Sequence, residues 1–358
     1  MPPSTTILQN QSNNWVVFSA SNWNDLQVSN HFISQELASK GNKVFYLESP
    51  GVIGLNPKRI LNIFRNYFFN KIFGKDILNP RKHKSSAQLE SNLKIIKKIP
   101  LPILGLPFID YLIFFLFLKN NKQIFSLISK ADNILICSPI WIKFFNNFEG
   151  KYYKKDKLKI YYHLVDDVES YNHLFFYLKD FKYFISKIDG LISPNEKLLS
   201  KYSKFNKLTF CLPHGFKKVL NKRIYLYNDF KRDKSIVYAG TFADWCDFDL
   251  ISKICDEFKD IKVYLIGRPA KNVSNKFLNK LRKIFKNLII KDSLGRYDLH
   301  QFLLKCSVSI IPYKEDNFHI QYSSPSKIMD YLGCGLPVIS TNIPYCKYHP
   351  FVETTKNH

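Results

Sequence analysis

Short apolar runs rich in Val, Ile, Tyr and Phe recur along the chain, and the longer stretches between them carry apolar positions at helical spacing. Trp15 to Ala20 reads as a buried strand. Val28, Phe32, Ile33 and Leu37 then share one face of a helix, Gly41 ends it, and Lys43 to Glu48 reads as a second strand. Further strands are predicted at 133–138, 159–166, 190–194 and 208–212. After a basic, turn-rich stretch from Lys217 to Lys234 the pattern restarts, with strands at 235–239, 262–267, 287–291, 308–312 and 337–340 and a helix near Leu250 to Phe258. Strands alternating with helices predict parallel sheets wrapped by helices, so the fold class is α/β. The restart, in a chain of 358 residues, predicts two doubly wound domains, 1–218 and 219–358.

Doubly wound folds bind ligands at the carboxyl ends of their strands, so residues just after strands carry most weight. The segment from Ser323 to Ser340 reads as a capped helix followed by a buried strand. Ser324 suits the N-cap, Pro325 the first helical position, and Gly333 or Gly335 the stop. Lys327 then falls in the first turn, where the macrodipole disfavours a cation unless an anion, such as a diphosphate, sits at the helix start. Asp330 lies three residues on, on the same face, placed to pair with Lys327 or to accept hydrogen bonds from ribose hydroxyls.

These residues resemble the donor-nucleotide motif in the C-terminal domain of GT-B glycosyltransferases, here Pro325-x-Lys327-x-x-Asp330-Tyr331-Leu332 and Pro337-Val338-Ile339-Ser340. The likeness is to group 1, family-four-like members and to the glucuronosyltransferase-like and teichuronic-type branches. Tyr238-Ala239-Gly240-Thr241-Phe242 resembles the strand and glycine turn that open the family's second domain. Gly267-Arg268-Pro269 resembles the end of its next strand, and Gly295 to Leu299 with Cys306 to Tyr313 resembles its connecting helix and a strand ending in Ile-Pro-Tyr. In the first half, Trp23 to Glu48 resembles the opening loop, helix and second strand. Tyr162 to Asp167 resembles an acidic strand end near the acceptor, and Pro213-His214-Gly215-Phe216 a hinge-side turn.

The resemblance implies two Rossmann-like domains facing across a cleft, a nucleoside diphosphate sugar as donor, a surface-polysaccharide or lipid-linked glycan as acceptor, and neither cofactor nor metal. It implies donor binding by Gly240, Thr241, Arg268, Tyr313, Ser323, Ser324, Lys327 and Asp330, with His214 orienting the donor or serving structure alone. Asp166 and Asp167 are the candidate general bases, Asp167 favoured, the alternative being that one of them caps the next helix. Many retaining members carry a Glu eight residues before the second acid; Tyr322 stands there, so retention is not implied. Full-length members continue beyond the strand near Phe351 to Glu353 with helices that cross back onto the first domain, and this chain ends at His358. A catalytically inactive scaffold and a nucleotide-sugar epimerase on the same fold are the alternative readings.

Charge bears on partners. Lys and Arg number 53 against 29 Asp and Glu, a net +24, which suits nucleic acid, an anionic membrane or a phosphorylated substrate, or simply follows from AT-biased coding. No nucleic-acid-binding motif accompanies the charge, so nucleic acid is not the expected partner. Between Lys58 and Lys98 eleven basic residues face two acids, Asp76 and Glu90, just before an apolar run from Ile99 to Leu118 that is too interrupted to span a bilayer. The run reads as a buried core helix or as an interfacial segment, and in the second case it predicts, with the basic stretch, contact with a membrane surface. The polar N-terminus lacks a signal-like apolar region, which predicts a cytoplasmic protein peripheral to the inner face of the membrane. Seven cysteines without C-x-x-C spacing read as buried, reduced thiols. Asp247-Phe248-Asp249 matches a D-x-D metal motif, but it precedes a helical run, where acids suit the first turn.

Overall fold

The computed structural model describes residues 12–24, 27–49, 91–96, 108, 110–112, 115, 122–142, 144–145, 158–170, 178–217 and 232–355. The chain divides into two compact units, Met1–Cys211 and Leu212–His358.

The first unit is a parallel sheet of β1 (Asn14–Phe18), β2 (Lys43–Leu47), β3 (Leu93–Ile96), β4 (Asn133–Ile136), β5 (Lys159–His163), β6 (Gly190–Ser193) and β7 (Thr209–Cys211), in the order β3-β2-β1-β4-β5-β6-β7. Central strands are apolar on both faces because helices cover both. Val16, Val17 and Phe18 of β1 and Ile134, Leu135 and Ile136 of β4 are buried without alternation. The helices of this unit are α1 (Ser29–Ser39), α2 (Lys122–Ser129), α3 (Leu178–Ile185) and α4 (Glu196–Tyr202). Asn195 caps α4 by accepting from Leu198 N.

The second unit repeats the plan with β8 (Ser235–Ala239), β9 (Lys262–Ile266), β10 (Leu288–Lys291), β11 (Val308–Ile311), β12 (Val338–Ser340) and β13 (Val352–Thr354), all parallel, in the order β10-β9-β8-β11-β12-β13. Its helices are α5 (Phe248–Glu257), α6 (Asn275–Ile284), α7 (Arg296–Leu303), α8 (Lys327–Gly333) and α9 (Pro344–Lys347). Asp247 caps α5 by accepting from Leu250 N at 2.8 Å, so the D-x-D match is a helix start. Chain order reverses direction between β8 and β11, and the loops after these two strands therefore part from each other and leave room for a ligand.

Two expectations change. Leu93–Ile96, inside the basic 58–98 stretch, is an edge strand paired with β2 through Val44–Leu47. The rest of that stretch, apart from residues 91 and 92, and most of the 99–118 run lie outside the described residues. Cys211 is exposed at the end of edge strand β7 and Cys137 is half-buried, while the other five thiols are buried; all seven are free.

Candidate functional site

The residues that follow β8, β9 and β11 converge with α8. Gly267, after β9, lies against Gly240, after β8: a Cβ on Gly267 would sit 1.9 Å from the Gly240 carbonyl oxygen, so only glycine permits this approach. A Cβ on Gly240 would in turn meet Lys327 Cε at 2.7 Å. Two glycines thus clear a space that the Lys327 side chain enters.

Lys327 opens α8, as expected, but the start of that helix differs from the sequence reading. Ser326, already helical in its backbone angles, precedes it and makes no side-chain cap. Ser324 lies upstream; its carbonyl oxygen accepts from His214 Nε2 at 3.1 Å, and its buried Oγ has no hydrogen-bond partner among the described residues. The chain enters α8 through tight turns from Pro325 and Ser326 to Ile328 and Met329, so the cap position falls later than the Ser-Pro pair suggested. Burial holds the His214 imidazole below its usual range, only partly offset by this hydrogen bond, and keeps the ring neutral with its proton on Nε2.

The cation in the first turn is compensated by aromatic groups and not by Asp330. Lys327 Nζ donates to the Tyr313 hydroxyl and lies 4.9 Å from the centre of the Tyr313 ring and 5.3 Å from that of Tyr238. Among the described residues it has no carboxylate partner. Tyr313 is buried after β11, where its carbonyl accepts from Thr341 Oγ1, and Tyr238 donates to the Thr241 carbonyl. Tyr331 ties α8 to β8 by accepting from Ala239 N at 2.7 Å.

Asp330 faces elsewhere. Its Oδ1 accepts from Arg296 Nη1 at 2.5 Å and from His300 Nε2 at 2.9 Å, both on α7, so of the two readings of Asp330 the pairing with Lys327 is not the one formed. Oδ2 has no protein partner among the described residues. The Phe216 ring stacks on His300 at 5.2 Å and fills the side of α8 that Gly333 leaves open. The Pro213 to Phe216 turn therefore packs within the second unit. Arg268 and Thr241 are exposed just beyond β9 and β8, and the Arg268 guanidinium has no partner among the described residues. Ser323 donates its amide to the Ile320 carbonyl at the end of the short helical turn Phe318–Tyr322.

In the first unit the two aspartates separate. Asp167 is 4% exposed, and both its oxygens are taken: Oδ2 by Lys201 Nζ at 2.6 Å, Oδ1 by the Tyr202 hydroxyl at 2.6 Å and by Glu169 N at 3.3 Å. Lys201 also reaches Glu169 at 2.7 Å. Asp167 thus organises the turn Val168–Ser170 and anchors α4, a geometry unsuited to a base that must meet an acceptor. Asp166 is exposed three residues past β5. Arg296, His300, Tyr238 and Tyr331 received no role from the sequence. An Arg in the first turn of a helix and Tyr at positions otherwise filled by aliphatic residues were the available signals. No group of three His, Cys, Asp or Glu among the described residues is arranged to hold a metal ion.

No family model matches the sequence, and no curated protein does. Solved structures do match along almost the whole chain. HepE of Anabaena, solved with UDP and glucose, aligns with a TM-score of 0.59 over 96% of this chain and 85% of that chain, at 10% identity. The lipopolysaccharide outer core galactosyltransferase WaaB gives 0.55 over 95% and 85%, at 11% identity. The chain has the GT-B fold. An alpha-glucosyltransferase solved with UDP and a 13-mer DNA aligns at 0.56 over 95% and 81%, at 11% identity. Of TarM the chain spans 45% of the length, at a TM-score of 0.45. At such identities the GT-B likeness fixes chain topology and leaves substrates to the site residues.

Proposed function

We propose that the chain transfers a glycosyl group from a nucleoside diphosphate sugar to a surface-polysaccharide or lipid-linked glycan acceptor. The observation that carries this reading is Lys327: an ammonium held by two tyrosines, with no carboxylate among the described residues to neutralise it, beside a glycine that keeps the surrounding space open. A diphosphate completes such an arrangement, since charge grows on it as the glycosidic bond breaks, and Lys327 with exposed Arg268 stabilises that charge without a metal. Asp330 Oδ2, held in place through Oδ1 by Arg296 and His300, accepts from ribose hydroxyls. UDP is the first nucleotide to test, because HepE and the alpha-glucosyltransferase were solved with it.

In the first unit Asp166, and not Asp167, is the base that takes the acceptor proton. Contact with the inner face of the membrane is supported by Phe108, Tyr111, Leu112 and Phe115, which are helical and exposed while Asp110 is buried. Calorimetry of UDP, GDP and ADP, with and without chelator, tests the donor reading. Selective binding that survives chelator and is lost in Lys327→Ala supports it; equal binding by parent and variant refutes the Lys327 assignment. Incubation with the sugar nucleotide alone separates transfer from epimerisation, which needs no acceptor.

A further inference from the structure

We propose that α6 of the second unit docks flat against an anionic lipid bilayer. From Lys271 to Lys291 the chain carries seven cations, Lys271, Lys276, Lys280, Arg282, Lys283, Lys286 and Lys291, and no acid. All seven are exposed, and none makes an ion pair among the described residues. The neighbouring stretch from Asp244 to Asp260, which includes α5, carries six acids against Lys253 and Lys259. A lysine excess from coding bias would spread over both stretches; the segregation shows that the charge on α6 is local.

The spacing adds a second argument. Lys276, Lys280 and Lys283 lie four and three residues apart, on the outward face opposite buried Leu278 and Leu281. Like charges at this spacing repel, and Lys276 in the first turn opposes the helix dipole, while Arg282 and Lys283 in the last turn accord with it, so the cost of the row falls on Lys276 and Lys280. Phe277 and Ile284, seven apart, share the flank beside the lysines and remain 38% and 57% exposed. A cationic row bordered by exposed apolar side chains matches a bilayer surface, where lysines meet headgroup phosphates and the apolar pair enters the acyl boundary. A duplex nucleic acid would satisfy the lysines but leave Ile284 in water.

The proposal stands apart from the donor reading, and its test uses the full chain. Partition onto phosphatidylcholine vesicles with and without phosphatidylglycerol is measured by co-sedimentation. Lys276→Gln/Lys280→Gln/Lys283→Gln weakens partition onto the anionic vesicles about 100-fold, at about fivefold per cation, and Ile284→Ser weakens it about fivefold. Neutral vesicles bind none of the proteins. A triple variant that partitions within about threefold of the parent overturns the proposal. So does an Ile284→Ser protein unchanged on vesicles when duplex DNA competes the parent off them, which assigns the face to nucleic acid. If the triple variant loses its melting transition, Lys280→Gln alone carries the test, with about a fivefold loss expected. UDP affinity, measured on the same variants, reports the donor reading separately.

Discussion

Asp166 and Asp167 are adjacent in sequence, and the structure gives them different fates that substitution can separate. Replacing Asp167 by Ala removes a carboxylate from a buried network and leaves the Tyr202 hydroxyl without its acceptor, while Lys201 keeps Glu169. An orphaned buried hydroxyl costs about 1–3 kcal/mol, and breaking a buried ion pair about 3–5 kcal/mol. Because Lys201 retains one partner, the sum settles near the low end, about 3 kcal/mol, or roughly 6–12 °C in the melting of a domain of this size. Asp166→Asn, at an exposed position, shifts it by no more than about 0.5 kcal/mol. The assay is denaturant unfolding followed by circular dichroism, beside release of UDP from a UDP-sugar in the presence of acceptor. The expected pattern is a destabilised Asp167→Ala and a stable Asp166→Asn that binds UDP but does not turn over. An Asp167→Ala protein that unfolds with the parent refutes the anchoring role, and an Asp166→Asn protein with full turnover refutes the base. The same network sets a pH window. The Lys201 hydrogen bond lowers the Glu169 carboxyl below 4.5, so its contribution is present above that value and fades as pH falls; burial opposes but does not outweigh the two carboxylates that raise Lys201 above 10.5, so its contribution fades as pH climbs past that value.

In the second unit, Lys327→Ala removes one charged phosphate partner, about 1.5–3 kcal/mol, and weakens UDP binding roughly 10- to 150-fold by calorimetry. Gly240→Ala, at a φ of +158°, pushes the Lys327 side chain aside and strains the turn, so it lowers UDP affinity in the same direction and lowers the melting point as well. Gly267→Ala drives a methyl into the Gly240 carbonyl and costs about 3 kcal/mol or more, read as a melting point lower by about 10 °C. His214, its proton affinity depressed by burial, resists charging in the fold, so stability is complete above pH 6.5 and declines as pH falls below it; His214→Gln flattens that decline in acid-side melting curves.

Most of the sheet was legible because buried parallel strands must be apolar on both faces, and runs such as Trp15-Val16-Val17-Phe18 or Lys262 to Ile266 advertise this directly. Strand β3 was not, because an edge strand pairs on one side only: Leu93-Lys94-Ile95-Ile96 needs little apolar continuity, and the surrounding lysines hid it. Helix α6 escaped for a related reason. It buries only Leu278 and Leu281, and its other apolar positions, Phe277 and Ile284, stay exposed among four cations. The site divides in the same manner. Gly240, Gly267 and Lys327 announce themselves through local rules, a glycine after a strand and a cation where the dipole rejects it. What holds that cation comes from Tyr238 and Tyr313, 89 and 14 residues upstream, brought to it by β8 and β11.

Asp330 carries the argument one step further. Sequence spacing offered Lys327 as its partner, three residues away on one helix, yet the folded chain gives it Arg296 and His300 from α7. Arg296 and His300 both reach Oδ1 from the packed helix α7, an approach fixed by Phe216 stacked upon His300, and they hold the carboxylate away from Lys327. Lys327 is left without an acid as a direct result. The unneutralised charge that marks the donor reading is therefore a product of the α7 to α8 packing as much as of the motif itself, and Arg296→Met should release Asp330 toward Lys327 and lower UDP affinity without touching a residue next to the ligand. An Arg296→Met protein that melts like the parent and binds UDP equally well would show that the two contacts are independent.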